Sequence, residues 1–168
     1  MVFAYYSRLS QKQKNIYRKS DAIEFVPLKQ SGVYQDTLAL MEQAMQDEDR
    51  KQLEKVAGHL LNALANDVGA PLLDVKVLSV RPADEFEELH GLYHPLTKNK
   101  KACINVWMRT AKHKKVVAFR SFLRTLLHEF CHHLDYELFM LEETFHTEGF
   151  FKRESSLFRQ LMNRAGEG

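Results

Sequence analysis

Cysteine is scarce in this sequence, which contains only Cys103 and Cys131 among its 168 residues. Two cysteines so far apart have neither the spacing of a disulfide framework nor that of a cysteine-rich zinc site. We therefore expect both to be buried, reduced thiols. An excess of one charge is also lacking, since 24 Lys and Arg face 22 Asp and Glu. The resulting net charge of +2 gives no general reason to expect a nucleic acid or an anionic membrane as a partner.

Long hydrophobic runs are absent as well, because no apolar stretch reaches the roughly 18 residues of a transmembrane helix. The opening residues MVFAYYSRLSQKQKNIYRKS lack the basic, apolar and small-residue regions of a secretory signal. Both observations predict a cytoplasmic protein without a membrane partner. The four prolines and seven glycines are scattered, and no repeat or low-complexity linker interrupts the chain. One domain over residues 1–168 is therefore expected, with 1–33 as its least readable part.

Helical periodicity dominates the part of the chain that follows. Apolar residues recur at helical spacing over 53–68, and Gly69 and Pro71 then stop the pattern. A shorter helix is expected before it, at 35–45. These segments predict N-terminal helices ahead of the rest of the domain.

The pattern then changes to one typical of strands. Residues 73–80 are rich in Val and Leu, and 103–108 form a compact apolar run. Between them, 88–93 could form a third strand that is turned by 94–101. The sequence thus predicts a small sheet of about three strands.

Two further helices are expected after the sheet. Helical periodicity returns over 116–141, where the apolar residues form one broad stripe, and a last helix is expected at 147–163. The order of helices, strands and helices predicts an α+β fold, with the helices packed on one face of a mostly antiparallel sheet.

One motif in the 116–141 helix carries metal chemistry. Residues 128–133 read H-E-F-C-H-H, which contains H-E-x-x-H once. His128 and His132 are four residues apart, which places them about 40° apart around a helix, so both imidazoles can reach one ion. Glu129 lies beside them and can take a proton from a metal-bound water. The pattern predicts a zinc site with Glu129 as general base.

A catalytic zinc needs a third protein ligand and one open position. His146 is our choice, because it follows a plausible turn and opens the last helix, so its ring can aim back at the first two ligands. Glu154 is the rival, since it falls in an apolar arc of the last helix, where an unpaired carboxylate is too costly to keep. Its partner could be the metal, a ligand histidine, or an arginine such as Arg120 or Arg124. We therefore predict one Zn²⁺ per chain, with Glu154 as an alternative or supporting residue.

Two neighbours of the motif have different expected roles. His133 points about 100° around the helix from His132 and cannot share its ion, so we interpret it as structural or exposed. Asp135 returns to the ligand face seven residues after His128. It could orient a ligand imidazole or bond to a neighbouring loop, or it could be an ordinary solvated carboxylate.

The segment T-L-L-H-E-F-C-H-H followed by H-T-E-G-F resembles the SprT-like and related minimal gluzincin-type zinc peptidases. In such proteins a third histidine follows the motif helix and an aromatic residue comes four positions later, as His146 and Phe150 do here. The run C-I-N-V-W-M resembles their substrate-pairing edge strand, and G-L-Y-H resembles its neighbour. The resemblance covers roughly 88–162 and implies a zincin-like fold and a peptide or protein substrate.

Such a site would hydrolyse a peptide bond with zinc-activated water and Glu129 as the base. A developing oxyanion would need a further donor, and Tyr93, His94 and Arg109 are candidates because they flank the expected substrate strand. Each could equally be an ordinary strand-end residue.

Two lysine clusters bracket the 103–108 strand, at 98–101 and 112–115. They could favour phosphate or an acidic substrate, but few aromatic residues are interleaved and solvated loops are the simpler interpretation. The competing hypotheses are therefore a catalytically inactive zinc-binding or regulatory module and a nucleic-acid-associated SprT-like protein. The sequence leaves open the substrate, the oligomeric state and whether the N-terminal segment covers the cleft as an inhibitory lid.

Overall fold

The computed structural model describes residues 2–80 and 91–163. Within these ranges five α-helices and three strands follow one another, with two short 3-10 helices at Ala4–Arg8 and Ser31–Tyr34. In chain order the elements are α1 Gln11–Asp21, α2 Gln35–Gln46, α3 Arg50–Val68, β1 Asp74–Val80, β2 Gly91–His94, β3 Cys103–Arg109, α4 Phe119–Glu137 and α5 Glu148–Met162. The α+β fold predicted from the sequence is confirmed.

Helix ends follow local capping chemistry. The Asp49 side chain accepts the backbone N–H of Gln52 at the start of α3, and Gly69 ends that helix at φ +83°, a left-handed conformation that glycine adopts readily. Thr147 caps α5 by accepting the N–H of Phe150. The predicted bounds of α2, α3 and α5 are therefore close to the observed ones.

Helix α4 is shorter than the 116–141 segment that periodicity predicts. Val116 forms a β-bridge with Arg109, and the Val117 N–H bonds to the Met108 carbonyl, so this stretch belongs to the sheet margin. At the other end, the N–H groups of Leu138 and Phe139 both bond to the Leu134 carbonyl and close the helix. The apolar residues beyond both ends of α4 thus pack without being helical.

The sheet is mixed rather than mostly antiparallel. Its order is β1-β3-β2, with β1 parallel and β2 antiparallel to β3. The third strand forms as expected, although 88–90 of the predicted segment lie outside the described residues. Because β3 inserts between β1 and β2, the run C-I-N-V-W-M is central and G-L-Y-H has β3 as its only partner among the described strands. The expectation that 103–108 form the edge strand is therefore wrong.

Helix α4 covers one face of this sheet. Paired residues in a sheet point to the same side, and the pairs Val75–Ile104 and Val77–Val106 are buried. Gly91 pairs with Val106 and therefore lies on that same face. The face holds the core, which also takes side chains from α2, α3, α4 and α5. This packing fixes β2 against the helix that carries the H-E-x-x-H motif.

The N-terminal residues, which the sequence leaves unreadable, form an ordered element. Ser10 caps α1 in a capping box with Gln13, and α1 then packs against α5. Both cysteines are free thiols, with Cys131 buried and Cys103 half-buried. Across residues 2–80 and 91–163, no helix has the length and apolar character that crossing a membrane requires.

Candidate metal centre

Three histidines meet at one end of α4. His128 and His132 lie one turn apart on that helix, and His146 comes from the connection to α5, directly before the helix cap Thr147. One ring nitrogen of each lies within 4.8 Å of the others. The Nε2 atoms of His132 and His146 are 3.0 Å apart. The structure thus brings together the three residues that the sequence predicts as ligands.

Hydrogen bonds fix two of the rings and their tautomers. His128 Nδ1 lies 2.7 Å from Glu154 Oε1, and a carboxylate accepts, so Nδ1 carries the hydrogen. His132 Nδ1 lies 2.7 Å from Thr144 Oγ1. The Thr144 hydroxyl donates to Asp135, which leaves it to accept from His132. Both Nε2 atoms are therefore left without a proton, which is the form that can bind a cation.

The electrostatic environment keeps the imidazoles of His132 and His146 neutral. Burial lowers the pKa of His132 to about 3, with the nearby His128 and His146 acting in the same direction. The pKa of His146 is also lowered, first by loss of solvent around its ring and then by the neighbouring His128. Neutral imidazole is the form that coordinates metal ions.

The Phe150 ring packs against the three histidine rings. Its ring centroid lies 5.0 Å from that of His128, 4.8 Å from that of His132 and 5.1 Å from that of His146. The aromatic residue four positions after His146 is therefore in contact with all three rings, which limits their rotation.

Glu129 is the buried carboxylate beside the cluster, with 7% of its surface exposed. Burial raises its pKa to about 7, although the neighbouring His128 opposes the shift. Gly91 of β2 lies directly against it, because a Cβ added at Gly91 would be 3.0 Å from Glu129 Cγ and 3.0 Å from Thr125 Cγ2. The absence of a side chain at Gly91 thus lets the strand approach the base.

An open cavity of about 580 Å³ contains these groups. Strand β2 forms one wall with Gly91, Leu92 and Tyr93, and α4 forms the opposite wall with Glu129 and the two motif histidines. This volume suits a segment of polypeptide or a small molecule. The three imidazoles and Glu129 therefore face a space that a substrate can enter.

The predicted transition-state donors are placed differently. Tyr93 lines the cavity, but its hydroxyl bonds to His133 Nδ1 at 2.8 Å. His94 Nε2 lies 3.4 Å from the Asn105 amide and is not a lining residue. Arg109 pairs with Glu48 at 2.8 Å and lines a separate cavity. The structure therefore does not bring His94 or Arg109 to this site, because both extend from strand ends directed elsewhere.

The two neighbours of the motif both have structural partners. His133 is fully buried, donates from Nε2 to the Pro71 carbonyl at 2.8 Å and accepts the Tyr93 hydroxyl at Nδ1. Asp135 is also fully buried and lies 2.9 Å from Arg153 Nη2. Burial raises the pKa of Asp135, and Arg153 opposes that shift. Asp135 reaches His132 only through the Thr144 hydroxyl, and it is not a solvated carboxylate.

Three residues of the site were not predicted from the sequence. Thr144 orients His132, Arg153 holds Asp135, and Tyr136 lines the cavity and stacks on Tyr93 with ring centroids 6.2 Å apart. Tyr136 lies four residues after His132, so helical spacing could have identified it. Thr144 and Arg153 had no comparable signal, because their partners depend on the path of the 138–147 connection.

The donor set fits a zinc ion. Three imidazole nitrogens are a ligand set of catalytic zinc sites, and two such nitrogens bound to tetrahedral zinc are about 3.3 Å apart. The 3.0 Å separation between His132 and His146 is close to that spacing. Each of the two helix histidines also has the hydrogen-bonded second nitrogen that metal-bound imidazoles commonly show.

Comparison with known protein families gives a match over most of the chain. A family model described as the WLM domain matches residues 40–161, nearly three quarters of the chain. Neither the search of curated proteins nor that of solved structures found a match.

Proposed function

Because the chain belongs to the WLM domain family, a SprT-like, zincin-related domain of metalloprotease type, we propose that it is a zinc-dependent peptidase. The observation that carries the proposal is the convergence of His128, His132 and His146 beside Glu129 in one open cavity. A site used only to stabilise a fold has no need of a buried carboxylate next to an open position.

The chain's own residues supply most of the required chemistry. His128, His132 and His146 would hold one Zn²⁺, which when bound polarises a carbonyl and makes water a better nucleophile. Glu129 would accept the proton from the water and deliver it to the leaving amine. Hydrolysis then requires no covalent intermediate on the protein.

Strand β2 supports the choice of a polypeptide as substrate. It borders the cavity that contains the three histidines, and its described partner is β3 alone, so its other edge has no described partner strand. An extended peptide bound along that edge would use backbone hydrogen bonds and would lie beside Glu129. Tyr93 and Tyr136 would contact side chains of such a peptide from the cavity wall.

The nucleic-acid alternative has less support at this site. Among the described residues that line the cavity, Arg124 is the only one with a permanent positive charge. The two lysine clusters lie in exposed loops at opposite ends of β3, and Lys115 borders the separate cavity near Trp107. A regulatory module without activity would share the histidines, so a test of hydrolysis, rather than of metal binding alone, separates it from a peptidase.

Metal analysis tests the ligand set. Purified wild type should contain about one zinc per chain, His146→Ala should lose it, and Glu154→Ala should keep it at saturating metal. His59→Ala, which removes an exposed histidine of α3, is the matched control and should behave as wild type. Wild-type protein that takes up no zinc would refute the proposal.

Substitution of the base tests catalysis. Glu129→Gln should retain zinc and lower peptide hydrolysis by about 10²- to 10⁴-fold, because the amide cannot accept the proton. The matched control, Glu42→Gln on the exposed surface of α2, should leave turnover unchanged. Equal turnover in Glu129→Gln and wild type would exclude Glu129 as the base. Zinc binding with no hydrolysis of a peptide library by wild type would favour the regulatory module.

A further inference from the structure

Residues 2–23, which we call the N-terminal clamp, lie outside the segment that matches the WLM domain. The clamp nevertheless contacts the connection that carries His146. The Tyr5 hydroxyl donates to the backbone carbonyl of His146 at 2.9 Å. A residue far away in sequence therefore holds the main chain of a metal ligand.

Aromatic packing fixes the residue before that ligand. The rings of Tyr5 and Tyr17 lie 6.4 Å and 6.1 Å from the ring of Phe145. Tyr17 is fully buried, and its hydroxyl accepts the backbone N–H of Phe3 at 2.9 Å. The clamp thus packs against the half-buried Phe145 ring and restricts the backbone that leads into His146.

The end of α1 fixes the residues after the ligand. The hydroxyls of Ser20 and Thr147 are 3.1 Å apart, and both side chains are fully buried. The Gly149 N–H donates to Asp21 Oδ1 at 3.0 Å. A Cβ at Gly149 would collide with the Asp21 backbone carbonyl, so α5 can approach α1 this closely only because position 149 has no side chain. His146 is therefore held on both sides by the clamp.

A buried arginine extends the same contacts to His132. Arg153 is fully buried, and its Nη1 donates to the backbone carbonyls of Ser20 and Ile23. Its Nη2 donates to Asp135 at 2.9 Å. Asp135 in turn accepts from Thr144, which contacts His132. One hydrogen-bonded chain thus joins the clamp to a second ligand.

We propose that the N-terminal clamp positions His146 and His132, so that residues outside the WLM-domain match set the affinity of the metal centre for zinc. This inference rests on the proposed function, because it takes these histidines as zinc ligands. The described lining of the cavity includes no residue of the clamp. The clamp therefore contacts the segment that carries His146 without lining the cavity. This arrangement differs from the inhibitory lid considered from the sequence.

Two conservative variants and one control test the inference in the full chain. Tyr5→Phe removes only the hydroxyl that reaches His146, and Ser20→Ala removes only the hydroxyl that reaches Thr147 and Arg153. Tyr6→Phe is the matched control, because the buried Tyr6 hydroxyl has no hydrogen-bond partner among the described residues. Zinc Kd is measured by competition with a chromophoric chelator, and urea unfolding of the metal-free proteins is measured in parallel.

We expect Tyr5→Phe to raise the zinc Kd by about threefold to tenfold and the Tyr5→Phe/Ser20→Ala double variant by tenfold or more. Tyr6→Phe should bind zinc as wild type does. A purely structural role would lower stability in urea without changing Kd. A double variant whose Kd rises less than threefold would overturn the inference while leaving the proposed function intact. Wild type that binds no zinc would instead overturn the proposed function, and this inference with it.

Discussion

The Glu154 carboxylate joins His128 to Arg124, with Oε1 2.7 Å from the Nδ1 atom of His128 and Oε2 3.4 Å from Nη1 of Arg124. A carboxylate in the apolar arc of α5 needs a partner, and here it has two of the partners that the sequence offered. Since its hydrogen bond occupies Nδ1 of His128 and leaves Nε2 available, Glu154 is placed to support a ligand rather than to replace His146.

Loss of that support should weaken metal binding without abolishing it. We expect Glu154→Ala to raise the zinc Kd by about 10- to 100-fold, as removal of partners to ligand histidines commonly does. Arg124→Gln leaves the contact with His128 in place and should have a much smaller effect. Chelator competition measures both values. Complete loss of zinc in Glu154→Ala, equal to that in His146→Ala, would identify Glu154 as a ligand instead.

Gly91 should matter for catalysis and not for metal binding. Gly91→Ala places a methyl group 3.0 Å from Glu129 Cγ, so the base or β2 must shift. We expect hydrolysis to fall by about 10- to 100-fold with zinc content unchanged. The control is Gly58→Ala in α3, where an added Cβ meets nothing within 4 Å. That change should stabilise the fold by about 0.5–1 kcal/mol and leave activity intact. Wild-type turnover in Gly91→Ala would argue against the close approach of β2.

Asp67 should give the fold part of its acid sensitivity. Burial alone would raise its pKa. Hydrogen bonds donated by the Lys29 backbone N–H, the Tyr34 hydroxyl and the Gln30 backbone N–H outweigh burial and lower the pKa below 3.8. A carboxylate whose pKa is lower in the folded state stabilises the protein at pH values above its unfolded-state pKa, near 4. That stabilisation is lost as the pH falls through the folded-state pKa.

The Asp67→Asn variant tests this dependence. It should be less stable than wild type by about 1 kcal/mol at pH 7, and the difference should shrink below pH 4. Urea unfolding at several pH values measures this difference. A difference between Asp67→Asn and wild type that stays constant from pH 7 to pH 3 would contradict the assignment.

Arg153 and Asp135 should be strongly coupled. Both side chains are nearly inaccessible, and their ion pair is 2.9 Å long. Arg153→Met leaves the Asp135 carboxylate buried without its cation, which should destabilise the metal-free protein by about 3–5 kcal/mol. Adding Asp135→Asn removes the unpaired charge and should recover part of that loss. A loss in the double variant equal to the sum of the losses in Arg153→Met and Asp135→Asn would show that the two residues act independently.

The meeting of His128 and His132 could be predicted because its geometry is local. The two residues are four positions apart, so any α-helix places them together. His146 lies just before Thr147, which caps α5, but it is carried by the 138–147 connection between α4 and α5. Short-range helix geometry therefore fixes the pair on α4, whereas the approach of His146 depends on the path of that connection.

Long-range packing determines what could not be predicted. Helix α1 is largely polar, with Ile16 and Tyr17 as its only buried apolar residues, so hydrophobic periodicity gives little signal there. The mixed sheet depends on β3 entering between β1 and β2, which strand patterns do not specify. For the same reason, the directions of His94 and Arg109 could not be derived from their places at strand ends.

The N-terminal clamp also has a consequence for how the protein is made. Tyr5 precedes its partner His146 by 141 positions, and Ser20 precedes Thr147 by 127. Contacts across such separations form late in folding. We therefore expect the growing chain to offer a zinc ion at most His128 and His132 until α5 leaves the ribosome. Stalled chains with position 146 still in the exit tunnel should retain no zinc on gel filtration. Metal loading would then follow the packing of the N-terminal clamp against α5.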